Sequence, residues 1–207
     1  VLYGIFGGYA GITAYQIARG EPKRRIIPQI MIFGLFAYWS SQLIFPAGMY
    51  NPDTNFGYIP TIANSLQTGS IPVSRYFGHL IYVTEFTFIT NLSVQTGYYL
   101  VSTLLLTSVI PLIAILDRVL PAISSRTSLY ASLIFSSSSW MLRRGMHPNK
   151  LNFFYGIILL LGIVAIQLYR AKSIEHSRRW ALLGFVVMPA IIFGHRYSAG
   201  AAMVFLV

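Results

Sequence analysis

The sequence contains no cysteine and very few acidic residues. The absence of cysteine excludes disulfide frameworks, CxxC redox sites and thiolate metal sites. Only 10% of the 207 residues are charged, so the chain has too few charges to cover a water-facing surface, for which a soluble domain uses about a quarter of its residues. Because 55% of the residues are hydrophobic, a disordered chain is also excluded. These shortages predict a membrane protein.

Long apolar runs are abundant. A transmembrane helix needs about 20 largely apolar residues, and these runs are too continuous for the strands of a barrel. The sequence predicts an all-α fold, a polytopic bundle of transmembrane helices forming one domain over residues 1–207. The predicted spans are 1–18, 26–45, 98–116, 128–142, 151–169, 180–194 and 198–207. Because both ends of the chain fall inside apolar runs, we expect it to be a piece of a longer protein.

The distribution of the fifteen Lys and Arg residues predicts the orientation. The loops on one side hold the larger share, namely Arg19, Lys23, Arg24, Arg25, Arg118, Arg126, Arg170, Lys172, Arg178 and Arg179. The positive-inside rule makes that side cytoplasmic. The sequence thus predicts a multi-pass protein of the cell membrane whose long loop, residues 46–96, lies on the outer side. The basic residues are assigned to lipid headgroups, and no nucleic acid partner is predicted.

The 46–96 loop is too apolar for a solvated connection. Apolar residues recur in it at helical spacing, at Ile59, Ile62, Ala63 and Leu66. Gly69 and Pro72 are typical of the end of such a helix. A second apolar stretch, 77–89, contains His79 and Glu85. We predict two short amphipathic helices at the membrane surface, over the outer ends of the transmembrane helices.

Asp53 and Glu85 are the only carboxylates on the predicted outer side. Asp53 follows directly after a predicted span, and two interpretations are compatible with that position. It either caps a helix by accepting backbone N–H bonds or acts as a general base at the membrane face. On the cytoplasmic side, Glu21, Asp117 and Glu175 lie beside basic residues, and we expect them to balance local charge.

Cations are unexpectedly dense on the outer side. Two Arg side chains can hold a phosphate through paired, charge-assisted hydrogen bonds. The density therefore predicts an anion-binding site, while contact with anionic lipid headgroups is the alternative. The residues in question are Arg143, Arg144, His147 and Lys150 in one connection, His195 and Arg196 in a second, and Arg75 and His79 in the long loop.

Several short motifs follow one another in a recognisable order. They are Pro46-Ala47-Gly48, Asn51-Pro52-Asp53-Thr54, Leu66-Gln67-Thr68-Gly69-Ser70-Ile71-Pro72, Tyr76-Phe77-Gly78-His79-Leu80, Arg143-Arg144 ahead of Pro148-Asn149, and His195 before a Ser/Ala-rich span. With an amphipathic helix after the second motif, this order resembles that of the GT-C membrane glycosyltransferases, especially the dolichyl-phosphate-mannose-protein mannosyltransferase-like group. The resemblance covers most of the chain and is best over its first two-thirds.

The resemblance implies an inverting glycosyltransferase in which Asp53 is catalytic. It implies a donor sugar carried on a polyprenyl phosphate and a glycan or protein acceptor on the outer face. Many members of the family carry a second acidic residue, whereas here Asn51 and Asn55 flank Asp53. This argues against a metal site, because hard cations prefer several charged oxygen ligands. No cofactor is predicted, and a divalent metal remains an open alternative.

Two other functions fit the same sequence. A secondary transporter would place ionisable residues within its spans and interrupt its helices. The middles of the predicted spans hold almost no charge, although Glu85 would favour transport if the 77–89 stretch were inserted in the membrane. A noncatalytic multi-pass scaffold, in which Asp53 is only a helix cap, is the other alternative.

Overall fold

The computed structural model describes residues 2–44, 53–71, 77–138, 141, 143–144 and 150–194. This part of the chain is helical and contains no strand, so the all-α class is confirmed. The α-helices are α1 (Leu2–Arg19), α2 (Lys23–Ile44), α3 (Ile59–Thr68), α4 (Phe77–Thr90), α5 (Val94–Thr107), α6 (Val109–Ala114), α7 (Leu116–Val119), α8 (Ser125–Ser137), α9 (Tyr155–Tyr169) and α10 (Ile174–Gly194). A π-helix (Asp53–Tyr58) precedes α3, and a 3₁₀ helix (Lys150–Phe153) precedes α9. The predicted span at 198–207 lies outside the described residues.

The chain divides into two compact units. The first comprises residues 1–50 and 107–147, with α1, α2, α6, α7 and α8. The second comprises residues 51–106 and 148–207, with the π-helix, α3, α4, α5, the 3₁₀ helix, α9 and α10. The prediction of a single transmembrane domain stays a prediction.

Apolar side chains and serine hydroxyls together hold the first unit. Its buried core contains Ile17, Ile26, Ile30, Phe33, Ile110, Ala114, Leu129 and Leu133. Serines four residues apart on α8 bond to backbone carbonyls of α6. Ser128 Oγ donates to the carbonyl of Ala114 at 3.0 Å, and Ser132 Oγ donates to that of Ile110 at 3.2 Å. Small hydroxylated residues let two helices approach closely, so α8 packs against α6 without an unsatisfied polar group.

The second unit contains the α9–α10 hairpin and a tight turn between α4 and α5. At that turn, Asn91 adopts a φ of 53°, a left-handed conformation that Asn tolerates better than most residues. A Cβ added to Gly97 would overlap Oγ1 of Thr87, so only glycine fits where the start of α5 meets the end of α4. In the α9–α10 hairpin, a Cβ on Gly184 would lie 3.2 Å from Cγ1 of Val164. Glycine therefore permits a close approach of two helices at both places.

The amphipathic helix predicted in the long loop is confirmed as α3. It buries Ile62 and Ser65 and leaves Asn64 and Gln67 exposed. It ends at Gly69, whose φ of 68° is the left-handed conformation of a glycine C-cap. The second predicted helix is α4. The location of both helices at a membrane surface stays a prediction.

Three predicted spans differ from the helices observed. The 128–142 run is interrupted, because α8 ends at Ser137 and the backbone of Ser138 is extended. The 98–116 run is interrupted at Ser108 and Ile115. Pro111 explains the first interruption, because proline lacks the N–H that would bond to residue 107 and its ring clashes with that carbonyl. The 151–169 run begins as a 3₁₀ helix and becomes α-helical only at Tyr155.

One helix in the described part of the chain, Val94–Ala114, is long and apolar enough to cross a membrane. It combines α5 and α6, while α9 is apolar but shorter. Glycines at positions 4, 7, 8 and 11 have no neighbour within 4 Å of an added Cβ. Their face of α1 is thus unpacked among the described residues. The number of spans stays a prediction.

Candidate functional site

The structure describes some of the predicted site residues completely, some by their backbone alone, and some not at all. Four of them, Arg75, His147, His195 and Arg196, lie outside the described residues. Asp53 and Lys150 are described by their backbone, as the first residues of the π-helix and of the 3₁₀ helix. The side chains described are those of His79, Arg143 and Arg144.

His79 lies in the first turn of α4 and is fully buried. Aromatic rings from three other segments surround it. Its ring centroid lies 4.6 Å from that of Tyr58 in a T-shaped arrangement, 5.5 Å from that of Phe153, and 6.3 Å from that of Tyr98. His79 is therefore part of the core of the second unit.

The same rings also contact one another. Tyr98 and Phe153 have centroids 5.5 Å apart, and Tyr58 stacks on Tyr98 at 6.3 Å. We call Tyr58, His79, Tyr98 and Phe153 the aromatic cluster. Aromatic pairs in such geometries contribute about 0.5–1.5 kcal/mol each beyond the burial of their area. The cluster therefore joins four segments of the second unit firmly.

The aromatic cluster connects three of the segments that the sequence assigned to the site. Tyr58 is the last residue of the π-helix that begins at Asp53, and Phe153 is the last residue of the 3₁₀ helix that begins at Lys150. Each contacts His79. The Asp53, His79 and Lys150 segments thus converge, although they are far apart in the sequence.

A buried hydrogen bond reinforces the 3₁₀ helix. Asn152, which is fully buried, donates from Nδ2 to Oγ of Ser102 at 3.0 Å. Ser102 lies one turn after Tyr98 on α5. The 3₁₀ helix is consequently attached to α5 by a ring contact and by a polar contact. These two contacts fix the backbone at Asn152 and Phe153, which are two and three residues after Lys150.

Arg143 and Arg144 belong to the first unit. They follow the C-terminal end of α8; Arg143 is exposed and Arg144 is half-buried. Arg126, which is also exposed, lies in the first turn of the same helix. The helix has 13 residues and a length of about 20 Å at 1.5 Å per residue. About 20 Å of helix therefore separates Arg126 from the end of α8 that Arg143 follows in the sequence.

The aromatic cluster had no detectable signal in the sequence. Its four members come from separate segments with no common spacing, and Tyr side chains in an apolar chain are typical of an interfacial belt. The π-helix was equally unexpected. This rare element occurs preferentially near functional sites, and here it begins at Asp53.

Two further properties bear on the chemistry of the described residues, namely their pKa values and their ability to hold a metal ion. Burial raises the pKa of Tyr82 on α4, and the nearby carboxylate of Glu85 raises it further. Glu85 itself is exposed. Within the described ranges, no group of three or more His, Asp or Glu side chains lies close enough to hold a metal ion.

Comparisons with protein-family models, with curated proteins and with solved structures give no match to this chain.

Proposed function

We propose that this chain is part of a membrane glycosyltransferase that transfers a sugar from a polyprenyl-phosphate donor to an acceptor on the outer face. The convergence of the Asp53, His79 and Lys150 segments on the aromatic cluster carries the proposal. A transferase needs its base and its phosphate-binding cations on fixed backbone, and the cluster fixes the backbone that follows both Asp53 and Lys150.

The proposed membrane arrangement is multi-pass, with the 46–96 loop outside. The apolar composition and the apolar helix Val94–Ala114 support it. The exposed apolar side chains also support it, because lipid would cover them; among the largest are Phe56, Phe88, Ile89 and Phe185, each more than three-quarters exposed.

In the proposed reaction, an acceptor hydroxyl oxygen attacks the anomeric carbon of the donor sugar. The bond from that carbon to the lipid phosphate oxygen breaks, and its electron pair leaves with the phosphate. Asp53 accepts the hydroxyl proton as the new bond forms. Cations that the sequence placed on the outer side, Lys150 among them, stabilise the charge that develops on the phosphate. A single displacement inverts the anomeric configuration and needs no covalent enzyme intermediate.

The variant Asp53→Asn tests this proposal. Asn caps a helix nearly as well as Asp but cannot take the proton. We expect the full-length variant to fold, to insert in the membrane and to lose about 10²–10⁴-fold of its transfer rate. The measurement is release of free polyprenyl phosphate from the donor. A near-normal rate for Asp53→Asn, with Asp53→Ala unstable, would make Asp53 a helix cap.

A secondary transporter is the second candidate. The break of the helical run 94–119 at Ile115, whose backbone leaves the helical conformation, favours it, because transporters use discontinuous helices at their binding sites. The two candidates differ in the fate of a polyprenyl-phosphate sugar. A transferase cleaves it and releases the lipid phosphate, whereas a transporter moves it intact across a vesicle membrane.

A further inference from the structure

The turn between α9 and α10 forms an open groove of about 410 Å³. Apolar side chains from both helices line it, including Leu168, Ile174 and Ala181. Lys172 and Arg178 contribute its two charged side chains. The groove thus combines an apolar surface with two cations and no carboxylate.

The ion pairs nearby leave this positive charge uncompensated. Arg179 is paired with Glu175 at 2.5 Å, and both line a separate groove. In the part of the chain that the structure describes, neither Lys172 nor Arg178 takes part in a salt bridge. Both are exposed. The charge of the groove therefore favours an anion.

The apolar surroundings indicate the kind of anion. Ile174 is 74% exposed and Tyr169 is 92% exposed, so a small water-soluble anion would leave large apolar surfaces uncovered. A molecule with a phosphate and a hydrocarbon chain would match both the cations and the apolar side chains. The turn also lies on the side that the distribution of Lys and Arg makes cytoplasmic, where anionic lipids are concentrated.

We propose that this groove binds an anionic phospholipid of the cytoplasmic leaflet. Lys172 and Arg178 bind the headgroup phosphate, and the acyl chain lies along Ile174 and Leu168. Arginine can donate two parallel hydrogen bonds to a phosphate. The proposal rests on the membrane location proposed above and is independent of sugar transfer.

Quenching of Trp180, which directly precedes Ala181, tests the proposal. In the full chain carrying Trp39→Phe and Trp140→Phe, Trp180 is the single tryptophan. The protein is reconstituted in phosphatidylcholine vesicles with increasing fractions of brominated phosphatidylglycerol. We expect saturable quenching at a low fraction, and half-saturation at an about fivefold higher fraction for each of Lys172→Ala and Arg178→Ala. Brominated phosphatidylcholine should quench without saturating at low fraction.

Arg179→Ala is the matched control, because it removes the same charge one residue further on. We expect it to leave half-saturation unchanged, and Arg178→Lys to retain only part of the binding. An equal shift for Arg179→Ala and Arg178→Ala would overturn the proposal in favour of a diffuse surface potential. Competition by inorganic phosphate at matched ionic strength would overturn it in favour of a free-phosphate site.

Flotation separates this proposal from the membrane location on which it rests. A chain that fails to float with the vesicles overturns both. A chain that floats with its helical circular dichroism intact, but whose Trp180 shows no preference for the brominated phosphatidylglycerol, overturns the lipid site alone.

Discussion

Lys23 and Asp117 form an ion pair with 2.5 Å between Nζ and Oδ1, although 94 positions separate them in the sequence. Lys23 begins α2, and Asp117 lies in α7. The same ammonium donates to the carbonyl of Ala114 at 2.5 Å and to Oγ of Ser128 at 3.2 Å. Ala114 is the last residue of α6, where a cation also complements the helix dipole. The pair thus joins the start of α2 to α7, and both residues lie in predicted cytoplasmic loops.

We expect Asp117→Asn to lower the free energy of unfolding by about 1.5–3 kcal/mol, the scale of a hydrogen bond to a charged group. The effect is large for an ion pair because both side chains are mostly buried, at 18% and 17% exposure. The measurement is denaturant unfolding of the purified chain in detergent, in a double-mutant cycle with Lys23→Met.

Glu21→Gln is the control, because Glu21 pairs with Arg25 at 3.4 Å on an exposed surface. We expect a cost below about 0.5 kcal/mol for this variant. Equal costs for Asp117→Asn and Glu21→Gln would contradict the structural role of the Lys23–Asp117 pair.

Gly97→Ala should destabilise the contact between the start of α5 and the end of α4. The added Cβ would overlap Oγ1 of Thr87, which is itself buried, so one helix must shift. Overpacking of this kind costs about 1–3 kcal/mol. The measurement is the melting temperature in detergent, with Gly8→Ala as the control, because its Cβ would meet nothing within 4 Å.

A second substitution checks the mechanism of this loss. Thr87→Ala removes the oxygen that the new Cβ would contact, so the double variant Gly97→Ala with Thr87→Ala should recover part of the lost stability. An absence of recovery would show that the Gly97 position is sensitive for another reason than contact with Thr87.

The sequence predicted most helices because their determinants are local. The end of α3 at Gly69 follows from a left-handed cap, and the pairing of Glu21, Asp117 and Glu175 with basic residues follows from the scarcity of acidic side chains. Sequence-based prediction was less successful where two local signals, apolar content and proline, oppose each other. The apolar content of 98–116 indicated one helix, whereas Pro111 interrupts the bonding at residue 107.

The candidate site was less predictable because it depends on contacts between distant segments. His79 was grouped with Arg75 and the outer cations as a phosphate ligand, and that role remains a prediction. In the structure His79 is buried among Tyr58, Tyr98 and Phe153. Nothing in the spacing of these residues indicates that their rings meet. Their contacts arise only after α4, α5 and the 3₁₀ helix pack together.

Phe153 of the aromatic cluster should affect transfer by positioning backbone. Phe153→Leu keeps an apolar side chain but removes the ring contacts with His79 and Tyr98. We expect a lower kcat together with a higher KM for the donor, because the backbone of both the Asp53 and the Lys150 segments loses a fixed contact. Phe185→Leu, at a residue that is 77% exposed on α10, should leave both parameters unchanged.

The topology can be measured because the chain has no cysteine. Asn55→Cys and Ala122→Cys introduce single thiols at exposed positions, one in the π-helix of the predicted outer loop and one in the predicted cytoplasmic α7–α8 turn. An impermeant maleimide should label Asn55→Cys in intact cells and Ala122→Cys only after the membrane is opened. The reverse pattern would invert the proposed orientation.

Arg143 and Arg144 are predicted to bind the donor phosphate. Replacing either by Ala should weaken binding of a polyprenyl-phosphate donor by about 1.5–3 kcal/mol, the scale of one charged hydrogen bond. The physical reason is that a guanidinium donates in parallel to two phosphate oxygens, and a lysine point charge would replace this only in part. The measurement is the dissociation constant of the donor in detergent, where bulk headgroups no longer contribute.

Arg126→Ala is the matched control, because Arg126 is exposed at the opposite end of α8 and its loss changes the net charge equally. If the double variant Arg143→Ala with Arg144→Ala binds the donor as tightly as Arg126→Ala does, the two arginines contact lipid headgroups and the phosphate site lies elsewhere.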